Sequence, residues 1–466
     1  MLFNSVQFFI FFAVVLGLFY STRGVTRKWI LLAASYGFYA AWNWKFVPLL
    51  LTLTAIDYTA AVWMSRVRPE RKKLLLVTSL LANLGLLGFF KYYNFFAANA
   101  ASIMGVQPSA FELGIILPLG ISFHTLQSIS YVVDVYRGDQ EAISNPLDYA
   151  LFICFFPQLV AGPIVRARTF FNDLYNWSPP SPVERASGIL LIALGLVKKM
   201  AFADQLAIAA DSYFNNPAAQ SGFFNAWSAC IAFALQLYFD FSGYSDIAIG
   251  SARLLGFRFP ENFNRPFLTE GITEFWRRWH ISLSNWIRDY IYFPLAARSR
   301  GEAAIYRNLM ITMTLSGLWH GASWNFVIWG MYNGVLLSFE RMWFVWRRKH
   351  SAGEGVVDLH LFQVACTFLL FTIGMPLFRL RSFPDAVHVL KQLFNGPPGE
   401  FLLNTWQFGL LIISLALAQA EEKFGLFERI ATGPVWAYAA SLTLILLCLM
   451  LFGVTDNYVP FVYFQF

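Results

Sequence analysis

His320 is the residue whose chemistry needs explaining. It sits in the run Ser316-Gly317-Leu318-Trp319-His320-Gly321-Ala322-Ser323-Trp324-Asn325 and is the only Asp, Glu, Lys, Arg or His between Arg307 and Glu340. Ionisable groups at membrane depth are expensive and tend to mark function. A neutral imidazole, with an unperturbed pKa of about 6.5, accepts a proton at physiological pH and suits general base work. The plainer reading is a structural histidine hydrogen-bonded to a carbonyl inside a helix bundle.

A second histidine closes the run Glu274-Phe275-Trp276-Arg277-Arg278-Trp279-His280. If residues 277–288 form one helix, Arg277, His280, Ser284 and Arg288 share a narrow face. The arginines then either snorkel to lipid headgroups or line a cavity beside His280, where two cations could hold an anionic ligand such as a phosphate. Asp240-Phe241-Ser242-Gly243-Tyr244-Ser245-Asp246 adds two carboxylates at the end of an apolar run. They could work as acid and base, but pairing with Arg253, Arg277 or Arg278 in a structural role is favoured. Asp57 is expected to pair with Lys91, Lys198 or Lys199. His124 is read as channel-lining or as a packing residue, and His350, His360 and His388 as uninvolved loop residues.

Other site types are missing from the sequence. It has no P-loop, no nucleotide-binding glycine fingerprint, no HExxH metal motif and no GxSxG elbow. Cys154, Cys230, Cys366 and Cys448 lie in apolar runs without paired spacing, so neither a disulfide framework nor a metal site is expected. Chemistry here would rest on a bare histidine.

The elements that must position these residues are transmembrane. Of 466 residues, 57% are hydrophobic and 13% charged, against about 25% charged in soluble domains. The mean hydropathy is +0.52. The 49 Phe and 16 Trp suit interfacial aromatic belts. The net charge of +7 sits in short loops between apolar runs, which reads as a topology signal and not as nucleic-acid binding.

Spans are expected at 6–21, 29–42, 46–65, 74–96 and 113–133. The first is read as a retained helix, since no basic segment precedes it. The loop 134–147 follows. Apolar stretches at 148–165, 186–210 and 223–241 are short or interrupted, by Pro157, Gly162 and Pro163 in the first and by Lys198, Lys199 and Asp204 in the second. Such pieces are tolerated at membrane depth only inside protein or beside a wet cavity, so re-entrant segments are expected. Regular spans resume at 323–344, 361–377, 406–420 and 436–452. Basic loops at 66–73 and 347–349 place both termini outside. The closing Tyr458-Val459-Pro460-Phe461-Val462-Tyr463-Phe464 reads as an interfacial anchor. With no internal repeat or linker, the chain is taken as one integral membrane domain, 1–466.

The motifs resemble those of the membrane-bound O-acyltransferase (MBOAT) family, in its bacterial alginate O-acetylase-like branch. Glu274-Phe275-Trp276-Arg277-Arg278-Trp279-His280-Ile281-Ser282-Leu283-Ser284 and Gly317-Leu318-Trp319-His320-Gly321-Ala322 look like its two histidine motifs. Further likenesses run in order along the chain: Phe89-Phe90-Lys91-Tyr92, Leu117-Pro118-Leu119-Gly120-Ile121-Ser122-Phe123, Asp134-Val135-Tyr136-Arg137-Gly138, Phe156-Pro157-Gln158-Leu159-Val160-Ala161-Gly162-Pro163, Tyr238-Phe239-Asp240-Phe241-Ser242-Gly243-Tyr244-Ser245-Asp246 and Asn262-Phe263-Asn264-Arg265-Pro266.

The resemblance implies an all-α polytopic fold, a ring of roughly 10–12 transmembrane helices with re-entrant central segments around a through-membrane funnel. It implies catalysis by His320, with His280 in a less settled role. Arg277, Arg278, Ser284, Trp319, Ser323, Asn325, Asp240 and Tyr244 are the expected supporting or substrate-binding residues, with no metal. His320 would deprotonate an acceptor hydroxyl that attacks a thioester, and Asn325, Ser323 or His280 would steady the oxyanion.

The implied setting is the bacterial inner membrane, in contact with lipid and with polysaccharide synthesis machinery. Acetyl-CoA would be the donor, and an extracytoplasmic serine-hydrolase-like partner would pass the acetyl group to an alginate-type, cellulose-type or peptidoglycan acceptor. The alternative from another class is a flippase for a lipid-linked sugar, although no inverted repeat supports it.

Overall fold

The computed structural model describes all residues except Leu2, Ala161, 351–358, 455–460 and 463–466. Helices dominate, and no strand occurs among the described residues. Among the described residues, five helical stretches are long and apolar enough to cross a membrane: Gly24–Met64, Pro69–Ile103, Pro182–Phe214, His360–Arg379 and Val435–Phe452. The chain is an all-α polytopic membrane protein. Its contacts cluster into two compact units, Met1–Ile192 with Tyr244–Pro260, and Ala193–Gly243 with Glu261–Phe466.

In the first unit, Ser5 caps the helix Val6–Ser21 by accepting from the Phe8 N–H at 3.2 Å. The buried face of that helix puts Phe8 and Phe12 against Phe38 and Phe156 in an aromatic core. The expected span at 113–133 is corrected. Residues 113–119 lie outside any helix, and the helix runs only over Ile121–Arg137. Pro118 cannot continue a helix, and Gly120 takes a left-handed φ of 73° that only glycine adopts without strain. The helix also enters what was expected to be the loop 134–147.

Asp57 is buried, and its Oδ1 accepts from Ser79 Oγ at 2.6 Å and Asn83 Nδ2 at 2.7 Å. A hydroxyl and an amide thus replace the expected lysine. His124 is 4% exposed and lines a small cavity of this unit with Tyr39, Leu53 and Leu159.

The second unit holds both candidate histidines. The expected segment 223–241 is part of a longer helix, Phe223–Leu254, of which residues 223–243 belong here. Its Ala226, Ala229, Ala232 and Ala234 are fully buried, which lets neighbouring elements approach closely. His350, His360 and His388 are helical, contrary to the loop expectation. Of the closing aromatic segment only Phe461 and Val462 are described, and both are buried. The rest of that expected anchor lies outside the described residues.

Candidate active site

His320 is the last residue of the helix Glu302–His320, and a tight turn leads into the helix Trp324–His350. Small residues permit the close crossing of these two helices. A methyl at Gly317 would strike the Phe326 carbonyl oxygen and stand 2.8 Å from Gly330 Cα. Close backbone approach of this kind is how small residues join helices in membranes. The imidazole is 6% exposed. It is walled by Trp319, Trp329 and Phe378, at centroid distances of 4.9, 5.3 and 5.2 Å.

His280 is positioned quite differently. The helix expected over 277–288 is corrected: Ile272–Arg278 ends before it and Ile281–Ile287 begins after it. His280 sits in the break with a left-handed φ of 44°, which is uncommon for a residue with a Cβ. The segment at Asn262 holds the break from outside, since the Ile281 N–H donates to the Asn262 carbonyl and the Asn264 N–H to the Arg278 carbonyl, each at 2.9 Å. At the other end, Glu340 Oε2 caps the preceding helix, accepting from the Thr273 N–H at 2.9 Å and from the Thr273 hydroxyl.

The two histidines therefore meet through one residue. The Trp319 ring lies 6.0 Å from that of His280 and 4.9 Å from that of His320. The polar stripe does not form. Arg277 has a side chain 73% exposed and pairs with Glu274 at 3.5 Å. Arg278 pairs with Glu274 and Glu422. Ser284 Oγ donates to the Trp279 carbonyl, and Arg288 pairs with Asp289. Ser323 lies in the turn after His320, its N–H donating to the Gly321 carbonyl at 3.0 Å. Asn325 is buried beyond it, with Nδ2 donating to the Leu380 carbonyl at 2.6 Å.

Asp240 pairs with Lys199 at 2.7 Å and not with the arginines considered for it. Lys199 is fully buried, also meets Asp204 at 2.8 Å, and lies in a π-helical turn, Val197–Ala203. Tyr244 belongs to the other unit, where it stacks on Phe3. Asn262 and Glu340 were not anticipated as site residues. Asn262 does lie in the run Asn262-Phe263-Asn264-Arg265-Pro266, so a signal for it was present. Among the described residues no cluster of His, Cys, Asp and Glu could hold a metal ion.

A profile of the membrane-bound O-acyltransferase family matches residues 141–375, a stretch that contains both histidines, Trp319 and Asn262. The chain belongs to that family.

Relatives extend the likeness over more of the chain. A probable alginate O-acetylase AlgI of Pseudomonas syringae pv. tomato is 39% identical, over 90% of this chain and 80% of its own length. A probable alginate O-acetylase AlgI of Pseudomonas putida is 37% identical over 99% of both. A peptidoglycan O-acetyltransferase of Helicobacter pylori is 38% identical, over 84% of this chain and 79% of its own. This MBOAT protein is an acyltransferase of a membrane-embedded family, and the flippase alternative falls away.

Proposed function

We propose that the chain is an O-acetyltransferase of the bacterial inner membrane. It takes an acetyl group from cytoplasmic acetyl-CoA and passes it across the membrane for O-acetylation of an exported polysaccharide. His320 is the general base. The observation that carries this reading is an imidazole buried at a helix end and enclosed by Trp319, Trp329 and Phe378, in a family of acyltransferases.

In the step envisaged, a ring nitrogen of His320 removes the proton of the acceptor hydroxyl as its oxygen attacks the thioester carbonyl. A C–O bond forms. The tetrahedral oxyanion collapses with cleavage of the C–S bond, and the imidazolium returns its proton to the departing thiolate. Aromatic walls around the ring exclude water and so favour transfer over hydrolysis. Asn325 donates one amide hydrogen to the Leu380 carbonyl, which leaves its second N–H as a candidate donor to the oxyanion.

Basic loops at 66–73 and 347–349 favour both termini on the extracytoplasmic side. A serine-hydrolase-like partner there would complete delivery to the polymer. The alginate-related likenesses favour an exopolysaccharide of alginate or cellulose type, and the Helicobacter relative makes peptidoglycan the second acceptor to test. The test is His320→Ala expressed in a deletion strain, with ester-linked acetate measured separately on exopolysaccharide and on peptidoglycan. Loss of acetate from exopolysaccharide while polymer export continues is the expected result. Full acetylation by the variant rejects His320 as the base, and loss confined to peptidoglycan reassigns the acceptor.

A further inference from the structure

We infer that Asn262 is a positioning residue that fixes the tautomer of His280, leaving Nε2 as the proton-accepting nitrogen. The assignment of the asparagine side chain comes first, because its oxygen and nitrogen are distinguished only by their hydrogen bonds. Asn262 Oδ1 lies 3.2 Å from the Ser282 backbone nitrogen. A backbone N–H can only donate, so the atom facing it is the oxygen. Ser282 Oγ donates to the same oxygen at 2.8 Å.

His280 Nδ1 stands 3.2 Å from that oxygen. Two acceptors at this distance would repel, so Nδ1 carries a hydrogen and donates it. In a neutral imidazole Nε2 is then the bare nitrogen. The contact is well sheltered, with Asn262 and His280 each 1% exposed. The backbone reinforces it, because the Asn262 carbonyl accepts from Ile281, the residue after the left-handed turn. One asparagine thus holds both the main chain and the ring. The ring is further fixed edge-on to Phe241, at 4.7 Å and 84°.

This form has a chemical consequence. A neutral His280 locked in it cannot donate from Nε2 to an oxyanion, so it does not build the oxyanion hole. It can accept a hydrogen bond and thereby orient a substrate hydroxyl near the Trp319 that both histidines touch. The tautomer stands on geometry alone, while its use in acetyl transfer rests on the proposed function.

The test uses full-length protein labelled with 15N-histidine in lipid nanodiscs, with the His280 resonances assigned by their loss in His280→Gln. Wild type is expected to show a protonated Nδ1 and a bare Nε2. Asn262→Leu should lose that preference, and acetyl transfer should fall on the order of 10- to 100-fold, as for other ring-orienting partners. Asn262→Asp, which keeps an acceptor at this place, should restore the Nδ1–H form and part of the activity. A bare Nδ1 in wild type overturns the proposal, as does an Asn262→Leu variant with unchanged tautomer and rate. If the leucine variant does not fold, the wild-type spectrum still decides the tautomer. If His320→Ala remains active, the proposed function fails while the tautomer result stands.

Discussion

Lys199 and Asp240 lie 41 residues apart in sequence and meet at 2.7 Å, with side chains 0% and 2% exposed. Asp204 joins them, the Val462 N–H donates to Asp240 Oδ2, and the Phe461 ring lies 4.6 Å from the lysine nitrogen. Lys199 is the one cation shared by two buried carboxylates, and stranding a buried charge typically costs about 3–5 kcal/mol. Lys199→Met, which leaves Asp204 and Asp240 without it, is therefore expected to lower the thermal stability of the purified protein and its abundance in the membrane. Asp240→Ala, which keeps the Lys199–Asp204 pair, should be less damaged than Lys199→Met, as thermal unfolding in one detergent will show. An Asp240→Ala variant as unstable as Lys199→Met would mean that Asp204 does not compensate the lysine.

Glu340 acts at a distance along the chain. Its carboxylate caps the helix leading to His280, at Thr273. Loss of such a cap costs about 1 kcal/mol. Glu340→Ala is expected to lower both stability and acetyl transfer, and Glu340→Gln, which keeps an acceptor oxygen, should recover most of each. Parallel melting curves and ester-acetate measurements check the order.

Gly330 belongs to the crossing that carries His320. A methyl there would meet the Met313 carbonyl oxygen and stand 2.9 Å from Thr314 Cα. Overpacking of this kind costs about 1–3 kcal/mol. Gly330→Ala should reduce stability and activity together. Gly17→Ala, in an exposed part of a helix with nothing within 4 Å of the new atom, should be neutral or stabilising. Equal melting temperatures for the two variants would refute the close-packing account.

His280 gives a backbone test. Its left-handed conformation penalises any residue with a Cβ, by roughly 1–2 kcal/mol. His280→Gly is therefore expected to be the more stable of two inactive variants, ahead of His280→Ala. The reverse order, read by thermal unfolding, would show that the turn relaxes once the imidazole is gone.

Local pattern was legible in the sequence where local forces decide. The expected segment 6–21 is the helix Val6–Ser21, because its apolar run begins at a capping serine. Apolarity misled at 113–119, where Pro118 and Gly120 stop a helix from forming. Periodicity misled at 277–288, since the chain turns at His280 and is held there by Asn262 and Asn264, whose contacts no helical repeat reveals. The histidines stood out by type alone. Asn262, Glu340 and the Lys199 pairing did not, because each acts on a residue brought near only by folding.

The segments that present the two histidines differ in mechanical character. His320 ends a 19-residue helix locked to its neighbour through glycines, whereas His280 occupies a break held by a few hydrogen bonds, between the seven-residue helix Ile272–Arg278 and a helical stretch that begins at Ile281 and runs on through the π-helical turn Arg288–Tyr292 to Ala297. One wall of the site is rigid and the other is adjustable. Substitutions around 262–265 and 272–282 can shift one ring against the other without rebuilding the helical pair at 302–350. A single scaffold can in that way be fitted to acceptors of different size, and libraries aimed at changing the polymer are best confined to the adjustable wall.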